Sequence, residues 1–188
     1  MMQETVLSIC LGIGLAASVG FRVFLPLLAV SIAGHYGLIP LNGSWEWVGS
    51  SLSILILAIA TFAEIVAYYI PWFDNLLDTI AIPLAAVAGT AVMVSTMSDM
   101  SPVVTWALAI IAGGGTAATV KSTMGASRLT STATTGGVAN PLIATVETGT
   151  ATVLSITSVI LPFLAIILVL LLFIGLRKIY KKLFFRSS

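Results

Sequence analysis

The region 138–176 is apolar almost throughout and is too long for one helical crossing of a bilayer. A hydrocarbon core of about 30 Å takes about 20 helical residues. The region therefore divides, near 150–154, into a short fifth segment and a sixth that Pro162 kinks by removing a backbone donor. Earlier apolar runs lie at about 5–33, 51–70, 79–97 and 103–125. Only 8% of the side chains are charged and 59% are hydrophobic, whereas a soluble domain carries roughly 25% charged residues. These features predict an all-α integral membrane protein of about six transmembrane helices, forming a single membrane domain over residues 1–188. The first and fifth segments also fit re-entrant or broken helices, and a seventh crossing fits the same pattern.

The ends of the chain orient it. No Lys or Arg precedes the first apolar run in "MMQETVLSIC", so that run is expected to be retained rather than cleaved as a signal peptide. Five of the eight basic residues (Arg177, Lys178, Lys181, Lys182 and Arg186) fall at the C-terminus, which predicts a cytoplasmic C-terminus as a headgroup anchor. An even number of crossings would place the N-terminus on the same side. The loop "GHYGLIPLNGSWEWVGSS" carries Trp45 and Trp47, suited to a membrane interface, and the single histidine, His35, reads as a surface residue. One cysteine, Cys10, excludes an intrachain disulfide and a cysteine-based metal cluster.

The chain echoes itself. Residues 14–19 read "GLAASV" and residues 115–120 read "GTAATV", while "ATFAE" at 60–64 is matched by "ATVE" at 144–147. The echoes occur in the same order, each beside a charge at membrane depth. They predict two inverted three-helix repeats, about 1–98 and 99–188, as in many transporter folds.

Charges at membrane depth cost at least ~2.5–3.5 kcal/mol each on insertion scales, so they face a cavity or a partner. The candidates are Arg22, Glu64, Lys121, Arg128 and Glu147, whose sum is +1. In one reading they are structural ion pairs, Arg22 with Glu64 and Lys121 with Glu147. In the other they line a solute site. Lys121 and Arg128 are seven residues apart and would share a helix face. They sit in "KSTMGASRLTSTATTGG", whose hydroxyls either satisfy backbone carbonyls in a flexible polar loop or line an anion site with non-helical backbone. Asn140 is expected to cap a half-helix with Pro141 in its first turn, leaving Glu147 on the same face. Desolvation raises a carboxyl pKa, which makes Glu64 and Glu147 either counter-charges or proton carriers. Asp74 reads as the N-cap of the third helix, with Asp78 near its positive end; two carboxylates supply too few oxygens for a divalent cation.

The order G-F-R-x-F-L-P (20–26), E-x-x-x-x-x-I-P-W-x-D-x-x-x-D (64–78) and T-G-G-x-x-N-P-x-x-x-x-x-E (135–147) resembles a bacterial family of membrane proteins, domain of unknown function 4126. The resemblance spans roughly residues 13–150 and implies a small multi-spanning bacterial membrane protein, without a substrate. Tyr69 stands just before "IPWFD", where that family's pattern leads one to expect a charge.

These readings predict a transporter or channel-like protein of the bacterial inner membrane, moving a small polar or anionic solute, a lipid phosphate headgroup among them. Arg22, Lys121, Arg128 and Asn140 would bind it, with Glu64 and Glu147 as counter-charges or proton carriers. The chain would work as a homo-oligomer, because 188 residues enclose little pathway alone. The alternative is a non-transporting scaffold. No nucleophile–base pair, phosphate-binding glycine loop or basic nucleic-acid surface is legible, so neither enzyme activity, a cofactor, a metal nor a nucleic-acid partner is expected.

Overall fold

The computed structural model describes residues 2–70, 73–97 and 100–184, leaving out the side chains of 2, 73–76, 79, 176 and 179–184. The described chain is all helical: 86% of it is helix and no strand occurs. Helix α1 (Met2–Val19) is followed by α2 (Phe24–His35), a 3-10 helix (Gly43–Gly49), α3 (Ser51–Ala67) and α4 (Phe73–Thr96). The second half holds α5 (Pro102–Leu108), a π-helical stretch (Ala109–Gly114), α6 (Gly115–Thr135), α7 (Asn140–Ile160) and α8 (Pro162–Phe184).

Two continuous helices, Pro102–Thr135 and Asn140–Ile160, are long and apolar enough to cross a membrane. The 3-10 helix and α3, bent by 65° at their junction, make a third if taken as one span. The remaining apolar helices are shorter. The first apolar run is thus a helical hairpin, α1 passing Ser158 at Gly14 and Thr148 at Arg22 and α2 returning to Ile156 and Val159 at Ala33. Gly20 begins the break, where the amides of Phe21 and Arg22 turn back to the Ser18 carbonyl. Pro26 lies inside the first turn of α2, where its missing N–H is no loss.

Two expected boundaries move. Residues 150–154 are continuous helix, and the break falls instead at Leu161 (φ −136°, ψ 71°). Proline disfavours helical backbone in the residue before it, and Pro162 then opens a new helix rather than kinking an existing one. The Ser/Thr-rich stretch is also helical, as far as Thr135. Thr123, Thr130, Thr134 and Thr135 each donate to the carbonyl four residues earlier, at 2.8–3.0 Å. Such back-bonding lets hydroxyl residues continue a helix. The hydroxyls therefore serve backbone carbonyls, as one reading held, but within a helix and not in a loop. Gly136, at φ 64°, ends it in the left-handed region.

Helix α1 is buried around nearly its whole circumference near its C-terminal end, with Leu15, Ala16, Ala17, Ser18 and Val19 each at 0% exposure. It packs against α4, α6, α7 and α8. Small residues bring these backbones close, the usual device where lipid supplies no hydrophobic drive between helices. A Cβ on Gly113 would stand 2.6 Å from the Gly89 carbonyl oxygen, so α4 and the π-helical stretch touch backbone to backbone. A Cβ on Gly20 would meet the Val120 Cβ at 2.4 Å and the Ala117 carbonyl oxygen at 2.9 Å. Gly20→Ala is therefore expected to lower stability by about 1–3 kcal/mol through overpacking. Thermal unfolding in detergent checks this, with Gly175→Ala, where the added carbon meets nothing within 4 Å, as the control.

The loop at the other end of α1, over the C-terminus of α4, is fastened by Asn42, which donates its side-chain amide to the Met97 carbonyl (2.9 Å) and caps the 3-10 helix by accepting from the Ser44 amide (3.2 Å). Trp45 and Trp47 stack at 6.0 Å. His35 is exposed on this surface, its Nδ1 2.8 Å from the Gly49 carbonyl oxygen.

A candidate anion site around Tyr68

The turn of the α1–α2 hairpin creates the centre of the molecule. Breaking a helix leaves amides without partners, which is intolerable in hydrocarbon unless something accepts from them. Glu64, on the buried stripe of α3, does so. Its Oε1 accepts from the Val23 amide at 2.8 Å and its Oε2 from the Phe24 amide at 3.0 Å. The carboxylate also sits at the positive end of the α2 dipole. Glu64 is thus a helix cap and not the ion-pair partner of Arg22.

Arg22, at 0% exposure, points the other way, across to α7. Its Nε donates to the Thr148 hydroxyl (2.9 Å) and one terminal nitrogen donates to the Ala144 carbonyl (2.9 Å). That same nitrogen lies 4.0 Å from Glu147. The Thr148 hydroxyl donates in turn to the Ala144 carbonyl, so the three groups hold one another.

Helix α7 turns a stripe of Asn140, Ala144, Glu147, Ala151, Leu154 and Ser158 inward, the period of one helix face. Glu147, in the middle of it, takes the Nε and a terminal nitrogen of Arg128 on its two oxygens. This is the fork-to-carboxylate geometry that makes arginine pairs strong. The expected partnerships, Arg22 with Glu64 and Lys121 with Glu147, are replaced by Arg128 with Glu147. The helix between Lys121 and Arg128 is continuous, as their seven-residue spacing requires for a shared face, and both cations reach Tyr68.

Tyr68 is the residue the charge pattern did not reveal. It lies one turn beyond Glu64 on the same face and is 3% exposed. The guanidinium carbons of Arg22 and Arg128 each stand 4.2 Å from its ring centroid, and Lys121 Nζ stands at 4.8 Å. The ring quadrupole attracts each cation and so lets three like charges approach one another. The hydroxyl accepts from Lys121 Nζ at 2.9 Å and donates toward Asp78 at 3.4 Å. The E-x-x-x-Y spacing from Glu64 carried this information, but an aromatic in an apolar helix reads as packing.

Asn140 lies inside the first turn of α7, behind Ala139, and makes no cap; its amide nitrogen donates to the Thr132 hydroxyl at 3.1 Å. It joins α6 to α7 instead of facing the cations. Tyr69 makes a similar tie, its hydroxyl 2.7 Å from that of Thr145. The side chain of Asp74 lies outside the described residues, and Asp78 is half-buried in the second turn of α4. Among the described residues no group of three or more His, Cys, Asp or Glu side chains gathers as a metal site would require.

The domain of unknown function 4126 (DUF4126) family matches residues 9–182. The chain belongs to that family. No curated protein and no solved structure matches it. In this DUF4126 protein the stretches 20–26, 64–78 and 135–147 meet at one place, through Arg22 from the first, Glu64 and Asp78 from the second, and Glu147 from the third.

The cluster is not saturated. Five buried ionisable residues (Arg22, Lys121, Arg128, Glu64 and Glu147, each 8% exposed or less) sum to +1, which half-buried Asp78, facing the Tyr68 hydroxyl, brings to zero. The NH1 groups of both Arg22 and Arg128 are buried without a hydrogen-bond partner among the described residues. A buried guanidinium donor left unmatched is costly, and what would satisfy it is an acceptor. Chemically the arrangement is a desolvated, donor-rich centre fit for an oxyanion.

Proposed function

We propose that this DUF4126 protein is a membrane transporter or channel-like protein for a small anionic solute, bound at the Arg22–Arg128–Lys121 cluster around Tyr68. The observation that carries the reading is the pair of buried guanidinium NH1 groups without hydrogen-bond partners among the described residues. Glu147 serves as the counter-charge that holds Arg128 when the anion is absent, and it or Glu64 carries a proton if transport is coupled. Asn140 positions α7 against α6 and leaves the binding to the cations.

The crossing count follows the same reading. Helices α1 and α2 form a hairpin; the 3-10 helix with α3, α4, α5 with α6, α7 and α8 then add five crossings. The basic residues near Arg177 then put the C-terminus in the cytoplasm of a bacterial cell, with the protein in its inner membrane, and the start of α1, which lies toward the start of α8, on the other side. The helices that carry "GLAASV" and "GTAATV" run the same way, Gly12 and Gly113 both meeting Met93 while Gly20 meets Ala117 and Val120, which does not favour an inverted repeat. A homo-oligomer completes the pathway.

A second reading, the non-transporting scaffold, is favoured by the two-oxygen Arg128–Glu147 pair, which locks α6 to α7. Reconstitution separates them. Liposomes holding the protein are expected to take up labelled phosphate or acetate faster than empty ones. Arg22→Gln is expected to cut that rate at least about ten-fold, the loss of roughly one charge-assisted hydrogen bond, without loss of folded protein. Folded, correctly inserted protein that moves no anion would favour the scaffold.

A further inference from the structure

Three carboxylates belong to the Tyr68 cluster, and two of them are committed. Glu64 accepts a backbone amide on each oxygen, and Glu147 takes a nitrogen of Arg128 on each. Asp78 is held by neither an amide nor a cation among the described residues; its hydrogen bond there comes from the Tyr68 hydroxyl, at 3.4 Å. It is also the half-buried member of the three, in the second turn of α4 and so within about 10 Å of that helix's end. The charges that face it gather through Tyr68 of α3. The hydroxyl accepts from Lys121 of α6, and the ring carries Arg128 of α6 and Arg22 of the hairpin turn. The remaining titratable groups of α1, α2 and the 3-10 helix, Glu4, Cys10, His35, Tyr36 and Glu46, lie toward the opposite end of α4.

We propose that an anion entering the Tyr68 cluster brings one proton with it, and that Asp78 is the group that takes it. The proposal rests on the anion reading above and moves its proton from Glu64 or Glu147 to Asp78. With Asp78 ionised, the three cations and the three carboxylates balance. A monovalent anion on the vacant NH1 groups of Arg22 and Arg128 then leaves one uncompensated negative charge at membrane depth, which is costly. Protonating Glu147 would release Arg128, and protonating Glu64 would take an acceptor from the hairpin amides. Protonating Asp78 disturbs only the long contact to Tyr68. Water at the end of α4 supplies the proton, the carboxylate becomes a neutral carboxyl group, and anion and proton move together without net charge.

Nitrate is the probe, because it is a monovalent oxyanion that does not itself titrate near neutral pH. The whole protein in detergent micelles is titrated with nitrate by calorimetry in two buffers of different ionisation enthalpy, which counts the protons exchanged. The parent is expected to take up about one proton per nitrate bound, and its affinity to fall by up to about ten-fold for each unit that the pH rises. Asp78→Asn, neutral at every pH, should bind nitrate without proton uptake and with an affinity that no longer follows pH; Asp78→Ser takes its place if the amide does not fold. Nitrate binding by the parent without proton uptake, uptake that persists in Asp78→Asn, or a folded Asp78→Asn that no longer binds nitrate would each overturn the role of Asp78 and leave the anion site standing. Folded parent that binds no nitrate at any pH would overturn the anion site itself.

Discussion

Arg128→Ala is expected to lower the stability of the protein by about 3–5 kcal/mol, the effect of leaving a buried carboxylate without its partner. Arg128 is 3% exposed and Glu147 2%, so water cannot replace the lost guanidinium. Arg22, at 4.0 Å from Glu147, is held on Thr148 and Ala144 and compensates only in part. Glu147→Ala should cost about as much, since it strands Arg128. The double replacement Arg128→Met with Glu147→Leu removes both charges while keeping volume. It should recover most of the loss, giving an interaction energy of several kcal/mol in a double-mutant cycle. Reversible unfolding in mixed micelles measures all four proteins. Single variants within about 1 kcal/mol of the parent would mean a solvated pair. The double variant also divides the two functional readings, because a scaffold would keep its role whereas an anion site would lose it.

Glu64→Ala is expected to free the amides of Val23 and Phe24, which have no other acceptor at the break between α1 and α2. At about 1–3 kcal/mol for each buried unsatisfied group, the loss is about 2–6 kcal/mol. Glu64→Gln keeps one acceptor oxygen and should lose about half as much. Hydrogen exchange should locate the effect, with the first turn of α2 exchanging far faster in Glu64→Ala while α7 keeps its protection. Unchanged exchange at Val23 and Phe24 would show that the carboxylate does not hold the break. An Arg22–Glu64 pair would instead predict that Arg22→Gln loosens α2, which the observed geometry does not.

How much of this was legible in the sequence follows from which forces are local. Helical character with long apolar runs lay in composition, and a first segment that is re-entrant or broken lay in the length of the run at about 5–33. The set of buried charges was legible because each is expensive wherever it sits. Their partners were not, since pairing depends on how α3, α6 and α7 rotate against the α1–α2 hairpin. Glu64 illustrates this: its sign called for a cation, but two backbone amides reached it first. The Ser/Thr stretch before Thr135 read as loop because propensity undervalues hydroxyls that bond to their own helix. Pro162 read as a kink because a proline's effect depends on whether the residue before it, here Leu161, leaves the helical region. Tyr68 stayed hidden because a ring that gathers three cations has the same letter as a ring that only fills space.

The central claim is that the vacant guanidinium donors of Arg22 and Arg128 form an anion site. Its most direct test is a crystallographic map of the protein soaked in selenate, a phosphate-like oxyanion with an anomalous signal. The account predicts an anomalous peak within hydrogen-bond reach of both NH1 groups, beside the Tyr68 ring, and its disappearance in Arg22→Gln. A cluster free of selenate, with both NH1 groups bonded to protein carbonyls, would contradict it.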